Sequence, residues 1–300
     1  MPLLQPDTAS QCVIRINQQP APPLPAAAQS TEIPNGRCLI AGTKLYFAVC
    51  DSLVFVDAAE PQCIEVWLGD TKRALTHNVN SSPMAYALQL ALSRCQLYAL
   101  HAACLVEPET NHGVLIIGKS GSGKTTLALQ LLQQQWKFLT DDITLLVETD
   151  KQIVAAGLRK TFYITAATIA AMQSPQLEAT LRKPGKRKPD KFKLNPESVF
   201  PDSYATACRI SAIYFPTLTD ELVSGVAELS KQQAMTRLLN DAAWICYDVA
   251  GAKDYLHIMK QVINQSRAFA LACGSNLLHQ PEQVAEIFSS GVRGKLYDSP

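Results

Sequence analysis

The chain has 300 residues, 47% of them hydrophobic, and carries 27 Lys and Arg against 26 Asp and Glu for a formal net charge of +1. That length allows one large domain or two small ones with proper cores, and the charge balance excludes a global attraction to nucleic acid or to an anionic membrane. No basic-then-apolar leader or bilayer-length apolar run is found, so a cytoplasmic protein with no membrane partner is expected; nine scattered cysteines without a close Cys-x-x-Cys pair fit reduced thiols, not a disulfide framework or a zinc site.

Residues 1–80 read as short strands with breaks. Cys12–Ile16, Arg37–Ile40, Leu45–Cys50, Leu53–Val56 and Cys63–Leu68 are rich in branched or aromatic residues and bounded by Pro, Gly, Asn or Asp. Between the first two, the proline- and alanine-rich Gln18–Gly36 predicts a mobile loop. A small β-rich N-terminal subdomain is expected here, ahead of a core spanning 81–300. Its role is either to dock a partner or simply to cover one face of that core.

Ser82-Pro83 is a helix start, cap then first-turn proline, and Met84, Leu88, Leu92 and Cys95 form an apolar stripe at helical spacing. The helix is expected to be a hinge between the two parts.

Leu100–Val106 and Gly113–Ile117 are two strand-like runs joined by a polar turn. Paired as a hairpin, they set His101 beside Gly118. Gly118-Lys119-Ser120-Gly121-Ser122-Gly123-Lys124-Thr125 then fits the phosphate-loop pattern, a glycine, four residues and Gly-Lys-Ser/Thr, after a strand and before a helix. The three glycines let successive N–H groups turn around an anion. Lys124 would put its ammonium on the outer phosphates and Thr125 would offer its hydroxyl to magnesium, with Thr126 completing the cradle at the helix start.

From Thr125 to Gln134 the pattern predicts a helix of about 15 Å, and Trp136–Thr140 a strand of about 16 Å running back. The lengths nearly cancel, so Asp141 and Asp142 should emerge at the edge of the sheet that holds the phosphates. There one carboxylate can hold magnesium and the other can take a proton from an attacking hydroxyl.

This run, Leu100-His-Ala, then Gly113 through Leu129, then Phe138-Leu-Thr-Asp-Asp142, resembles the catalytic core of the HPr kinase/phosphorylase family, whose nucleotide-binding fold is shared with phosphoenolpyruvate carboxykinases. The closer likeness is to the stand-alone HPr-kinase-like proteins that accompany peptide-modification genes. The resemblance implies an α/β fold with a mixed sheet, ATP and Mg2+ as donor and metal, and Asp141 and Asp142 dividing metal and proton-transfer work. It also implies that members can form homo-oligomers. After the loop lysine the family usually has Ser-Glu, where this chain has Thr125-Thr126.

Further on, Ile143–Val147 and Val154–Ile164 predict two strands, the second containing Arg159. Arg159 could stabilise charge on a transferring phosphoryl group, or pair with an acid on the surface. Residues 182–193 are a dense basic run kept irregular by proline and glycine. The alternatives are a loop over the active site, with Lys186 and Lys191 contacting phosphates or an acidic peptide, a solvated loop, or a nucleic-acid patch. The rest predicts a strand at Ile210–Phe215, a capped helix at Ser230–Leu239 with Ala234, Leu238 and Leu239 inward, a helix at Lys253–Asn264, a strand at Ala268–Cys273 and a helix at Pro281–Phe288.

The function expected is a kinase moving the γ-phosphoryl group of ATP to a hydroxyl. By family resemblance the acceptor is a serine of a peptide or small protein, or a hydroxyl of a small metabolite. The alternative is a non-catalytic ATP-binding sensor or scaffold. No transporter-type Leu-Ser-Gly-Gly-Gln signature occurs, and Asp248-Val-Ala-Gly251, half of a GTPase pattern, has no Asn-Lys-x-Asp after it and is read as a chance match.

Overall fold

The computed structural model describes residues 11–26, 28–33, 35–69, 82–158, 161–172, 174–181, 191–241 and 248–294. The chain divides into two compact units. The first takes residues 1–99 and 243–257, the second 100–242 and 258–300. The expected division at residue 80 is therefore moved: the helix after Ser82 belongs with the N-terminal strands, and a stretch from late in the chain joins them.

In the first unit, β1 (Val13–Asn17), β2 (Gln29–Ile33), β3 (Gly36–Ala41), β4 (Lys44–Val49), β5 (Ser52–Asp57) and β6 (Cys63–Trp67) form one sheet in the order β1-β6-β5-β4-β3-β2. All neighbours are antiparallel except β1 and β6, which run parallel. The strand β2 lies inside the stretch expected to be a loop. Its sequence, Gln-Ser-Thr-Glu-Ile, has one apolar residue because it is the sheet's outer strand and only Ile33 is buried. Alternate residues of β4–β6, among them Phe47, Val54, Ile64 and Val66, form the core with Tyr86 and Leu90 of α1 (Pro83–Arg94).

Ser82 caps α1 as expected, its hydroxyl accepting from the Ala85 amide at 3.2 Å. The buried face is a different one, Tyr86, Ala87, Leu90 and Ala91, and Leu88 of the predicted stripe is 42% exposed. A tyrosine and two alanines at helical spacing give a closer packing face than the longer side chains, with Tyr86 stacked on Phe47 at 4.8 Å.

The second unit is built on β8 (Ala102–Val106), β9 (His112–Ile117), β10 (Lys137–Thr140), β11 (Thr144–Thr149), β12 (Gln152–Gly157) and β15 (Ala207–Leu218), ordered β10-β8-β9-β15-β12-β11. A further short strand, β7 (Tyr98–Leu100), precedes β8, so the single run predicted from Leu100 is broken at His101. The 12-residue β15 is the spine: β9 runs parallel on one side, while β12 and then β17 (Arg267–Cys273) share the other, with β16 (Gly225–Glu228) beyond β17. The fold is mixed α/β.

On one face, α2 (Lys124–Gln133) and α7 (Pro281–Val292) bury Leu127, Leu131, Val284 and Phe288 against Val114, Ile116 and Tyr214. Strand alternation sends Leu115, Ile117, Ile213 and Phe215 to the other face. There Phe215 meets Arg237 of α5 (Lys231–Asp241), while α6 (Val249–Gln265) buries Val262 and Ile263. The strand predicted over Val154–Ile164 is two strands, β12 and β13 (Phe162–Thr165). The latter pairs with β14 (Lys191–Leu194) in a small separate sheet. Two short helices between them, α3 (Ala166–Met172) and α4 (Pro175–Leu181), carry too few turns to show a period.

Candidate functional site

The hairpin of β8 and β9 pairs Val106 with Gly113 through to Ala102 with Ile117, so the next residues in register are His101 and Gly118. On the outer side of β8, β10 runs antiparallel to it, with Lys137 opposite Val106 and, after a bulge, Thr140 opposite Cys104. It therefore ends at the edge where β9 ends, and brings Asp141 and Asp142 there. His101 Nε2 lies 3.2 Å from Asp142 Oδ1, both side chains partly exposed.

Two buried threonines hold the acid turn. Thr140 donates its hydroxyl to the Ile143 carbonyl at 3.0 Å, and Thr144 donates to the Ala102 carbonyl at 2.9 Å, which ties the start of β11 to β8. Neither was singled out from sequence, although a threonine on each side of a strand-end acid pair is the pattern a turn-closing role leaves.

The loop itself is shaped by its glycines. Gly121 and Gly123 have φ of +88° and +93°, in the region that costs an L side chain most. A Cβ on Gly118 would come within 2.7 Å of Ser122 Oγ, a buried hydroxyl with no hydrogen-bond partner among the described residues. Lys124 opens α2 and is 8% exposed. Its ammonium folds back over the loop, donating to the Gly118 carbonyl and, at 3.0 Å, to that of Lys119. Gly123, the N-cap, offers no side-chain cap to the first turn of α2. Lys119 and Ser120 are exposed; Thr125 and Thr126 are half-buried.

These features fit an anion seated at the loop: uncapped helix N–H groups, an unpartnered hydroxyl and a cation already turned inward. Among the described residues no group of three or more His, Cys, Asp or Glu could hold a metal by itself. A hard divalent cation would rest on Thr125 and a carboxylate of the acid pair and complete its shell with phosphate oxygens and water.

No protein-family model matches the chain, and no curated protein matches its sequence. Among solved structures it is similar to the Hpr(Ser) kinase/phosphatase from Coxiella burnetii. The identity is 14%, the match covers 64% of this chain and 94% of that one, and the TM-score is 0.36. At that score the likeness is loose, and the site rests on its own geometry.

The structure thus gathers His101, the 118–126 loop, Asp141 and Asp142 at one sheet edge. Arg159 and Lys186 lie outside the described residues. Lys191, expected in an irregular basic loop, begins β14, its backbone opposite Thr165. What the sequence reading missed is the third wall. β15 continues past Phe215, and its Pro216 carbonyl and Leu218 side chain would stand 3.5 and 3.4 Å from a Cβ on Gly118 and Gly123 respectively. Strand patterning gave no warning, because Pro216 breaks the apolar alternation and Leu218 is 59% exposed.

Proposed function

We propose that the chain is an ATP-dependent kinase that transfers a γ-phosphoryl group to a hydroxyl, with serine of a peptide or small protein as the acceptor. The observation that supports this is the placing of a carboxylate, Asp142, at hydrogen-bond distance from His101 on the edge that also carries the glycine loop and Lys124. A site that only bound nucleotide would have no use for an oriented carboxylate there.

In this reading the loop amides and Lys124 hold the outer phosphates, the lysine exchanging its two loop carbonyls for phosphate oxygens. Magnesium, when bound, neutralises charge on those oxygens. Asp141 and Thr125 would be its side-chain ligands from this chain. Asp142, turned by His101, accepts the proton of the acceptor hydroxyl as the new O–P bond forms and the bond from the γ-phosphorus to the bridging oxygen breaks, the electron pair leaving with ADP.

The test is mass spectrometry of the purified protein incubated with ATP, magnesium, the peptides encoded beside its gene and free serine. A phosphoryl gain on a hydroxyl that disappears with Lys124→Ala and with Asp142→Asn is expected. ATP binding without any gain on these acceptors would shift the weight to a sensor or scaffold.

A further inference from the structure

Arg237, near this edge, makes no ion pair among the described residues. It sits on α5, a helix firmly placed. Ser230 and Gln233 form a reciprocal capping box, the Gln233 amide donating to Ser230 Oγ at 3.2 Å and the Ser230 amide to Gln233 Oε1 at 2.9 Å. Lys231 ties the first turn to the Ile263 and Ser266 carbonyls, and Ala234 and Leu238 are fully buried.

From this anchored helix Arg237 lays its guanidinium over the ring of Phe215, 5.7 Å from the centroid. The other partly buried arginines of the described residues are matched to acids: Arg94 with Asp248, Arg267 with Glu228, Arg293 with Glu107 and Glu109. Among the described residues no carboxylate is paired with Arg237.

Its place in the sheet makes that significant. Continuing the register of Tyr214 with Ile116, Phe215 stands beside Ile117, the last residue before the loop. Pro216, the next residue, has its carbonyl against Gly118. At about 3.3 Å per strand residue and 4.8 Å between strands, the backbone of Phe215 is within roughly 6 Å of the loop backbone, and the guanidinium rests on that residue's ring. It lies on the sheet face opposite the one that packs against α2.

We propose that Arg237 is the arginine that stabilises the transferring phosphoryl group, leaving the Phe215 ring to contact its equatorial oxygens as charge develops on them. This rests on the kinase reading above. Arg237 neither gives nor takes a proton. Its planar donors match the trigonal phosphoryl, and a ring face that holds it by cation–π attraction alone is a resting place that costs little to leave.

A binding measurement tests this without knowing the acceptor. ADP with magnesium is titrated calorimetrically, with and without aluminium fluoride, whose planar complex stands in for the phosphoryl group in flight. Wild type should bind ADP tighter with the fluoride, and Arg237→Ala should lose about 100-fold of that tightening while binding ADP alone within about threefold. Arg237→Gln, which keeps a stem over the ring, should behave as Ala does. Arg237→Lys should recover part, having charge without the fork.

Full tightening in Arg237→Ala overturns the proposal. So does an equal loss for ADP with and without the fluoride, which would make Arg237 an ordinary phosphate binder. Wild type that binds ADP but gains nothing from the fluoride leaves the nucleotide site standing and removes this role. Wild type that fails to bind ADP removes the kinase reading and this role together.

Discussion

His101 illustrates what a single residue's register can carry. Sequence alone placed it opposite Gly118, from nothing more than a symmetric hairpin, and the ladder has that register. Its contact with Asp142 could not be read, because it depends on the bulge between Phe138 and Thr140 that resets the register of β10. If His101 orients the proton acceptor, His101→Ala should lower turnover by about 10- to 100-fold and leave ATP affinity within about threefold, as single-turnover kinetics and nucleotide titration would show.

Glu107, at the hairpin's turn, offers a second residue-scale test. It is fully buried and accepts from Thr110 at 2.6 Å and from both donors of Arg293. Burial by itself pushes its carboxyl up. The hydrogen bonds from Thr110, Arg293 and Ser289, with the guanidinium's charge, more than offset that and hold it below the ordinary 4.5. A carboxyl lowered in the folded state stabilises the fold at pH values above its ordinary one, and that contribution fades as pH falls from 4.5 through the folded value. Glu107→Gln should therefore be less stable than wild type at pH 7. Arg293 is a third exposed, which limits the gap to about 1 kcal/mol. The gap should narrow in urea melts as the pH is taken below 4.5.

At the scale of elements, the strands of the N-terminal sheet with an apolar alternation were legible to within a residue or two, while the central β15 was read three residues short at each end and the last two helices four residues short at one end. The failures have physical causes. β2 is a polar edge strand, and the stripe on α1 was assigned by side-chain size when the smaller face packs. The apolar run from Val154 concealed a break because Leu158 beside it is 41% exposed rather than core.

Asp248-Val-Ala-Gly251, set aside as a chance match, does have a job. Asp248 receives the Gly251 and Ala252 amides on its carbonyl at the start of α6, while its carboxylate takes a two-pronged bond from Arg94 at 2.8 and 2.6 Å. A Cβ on Gly251 would meet Asp248 Oδ2 at 2.4 Å and Arg94 at 2.6 Å. Gly251→Ala should thus cost stability, by about 2 kcal/mol, where an alanine in a helix is ordinarily favourable. Thermal melts would show the sign.

For the molecule as a whole, each of the two units has its own sheet and its own buried cluster. The sequence could not reveal that the first unit takes in residues 243–257, because the ties are between residues far apart in the chain: Tyr255 packs edge-on against Tyr98 and donates to the Ala99 carbonyl, and Arg94 pairs with Asp248. Both side chains are nearly buried, at 8% and 4% exposure. Removing one leaves the other charge stranded, so Arg94→Ala should cost about 3 kcal/mol. In hydrogen exchange it should appear as faster labelling of β4, β5 and β6.

That same pair sets a schedule for synthesis. Arg94 leaves the ribosome 154 residues ahead of Asp248, which at 5–20 residues per second is a wait of about 8 to 30 s. Throughout that interval the nascent N-terminal sheet has its helix but not the counter-charge for that helix's last turn. Its final consolidation is a late event, coupled to the emergence of the chain's last third, although all six of its strands are made first.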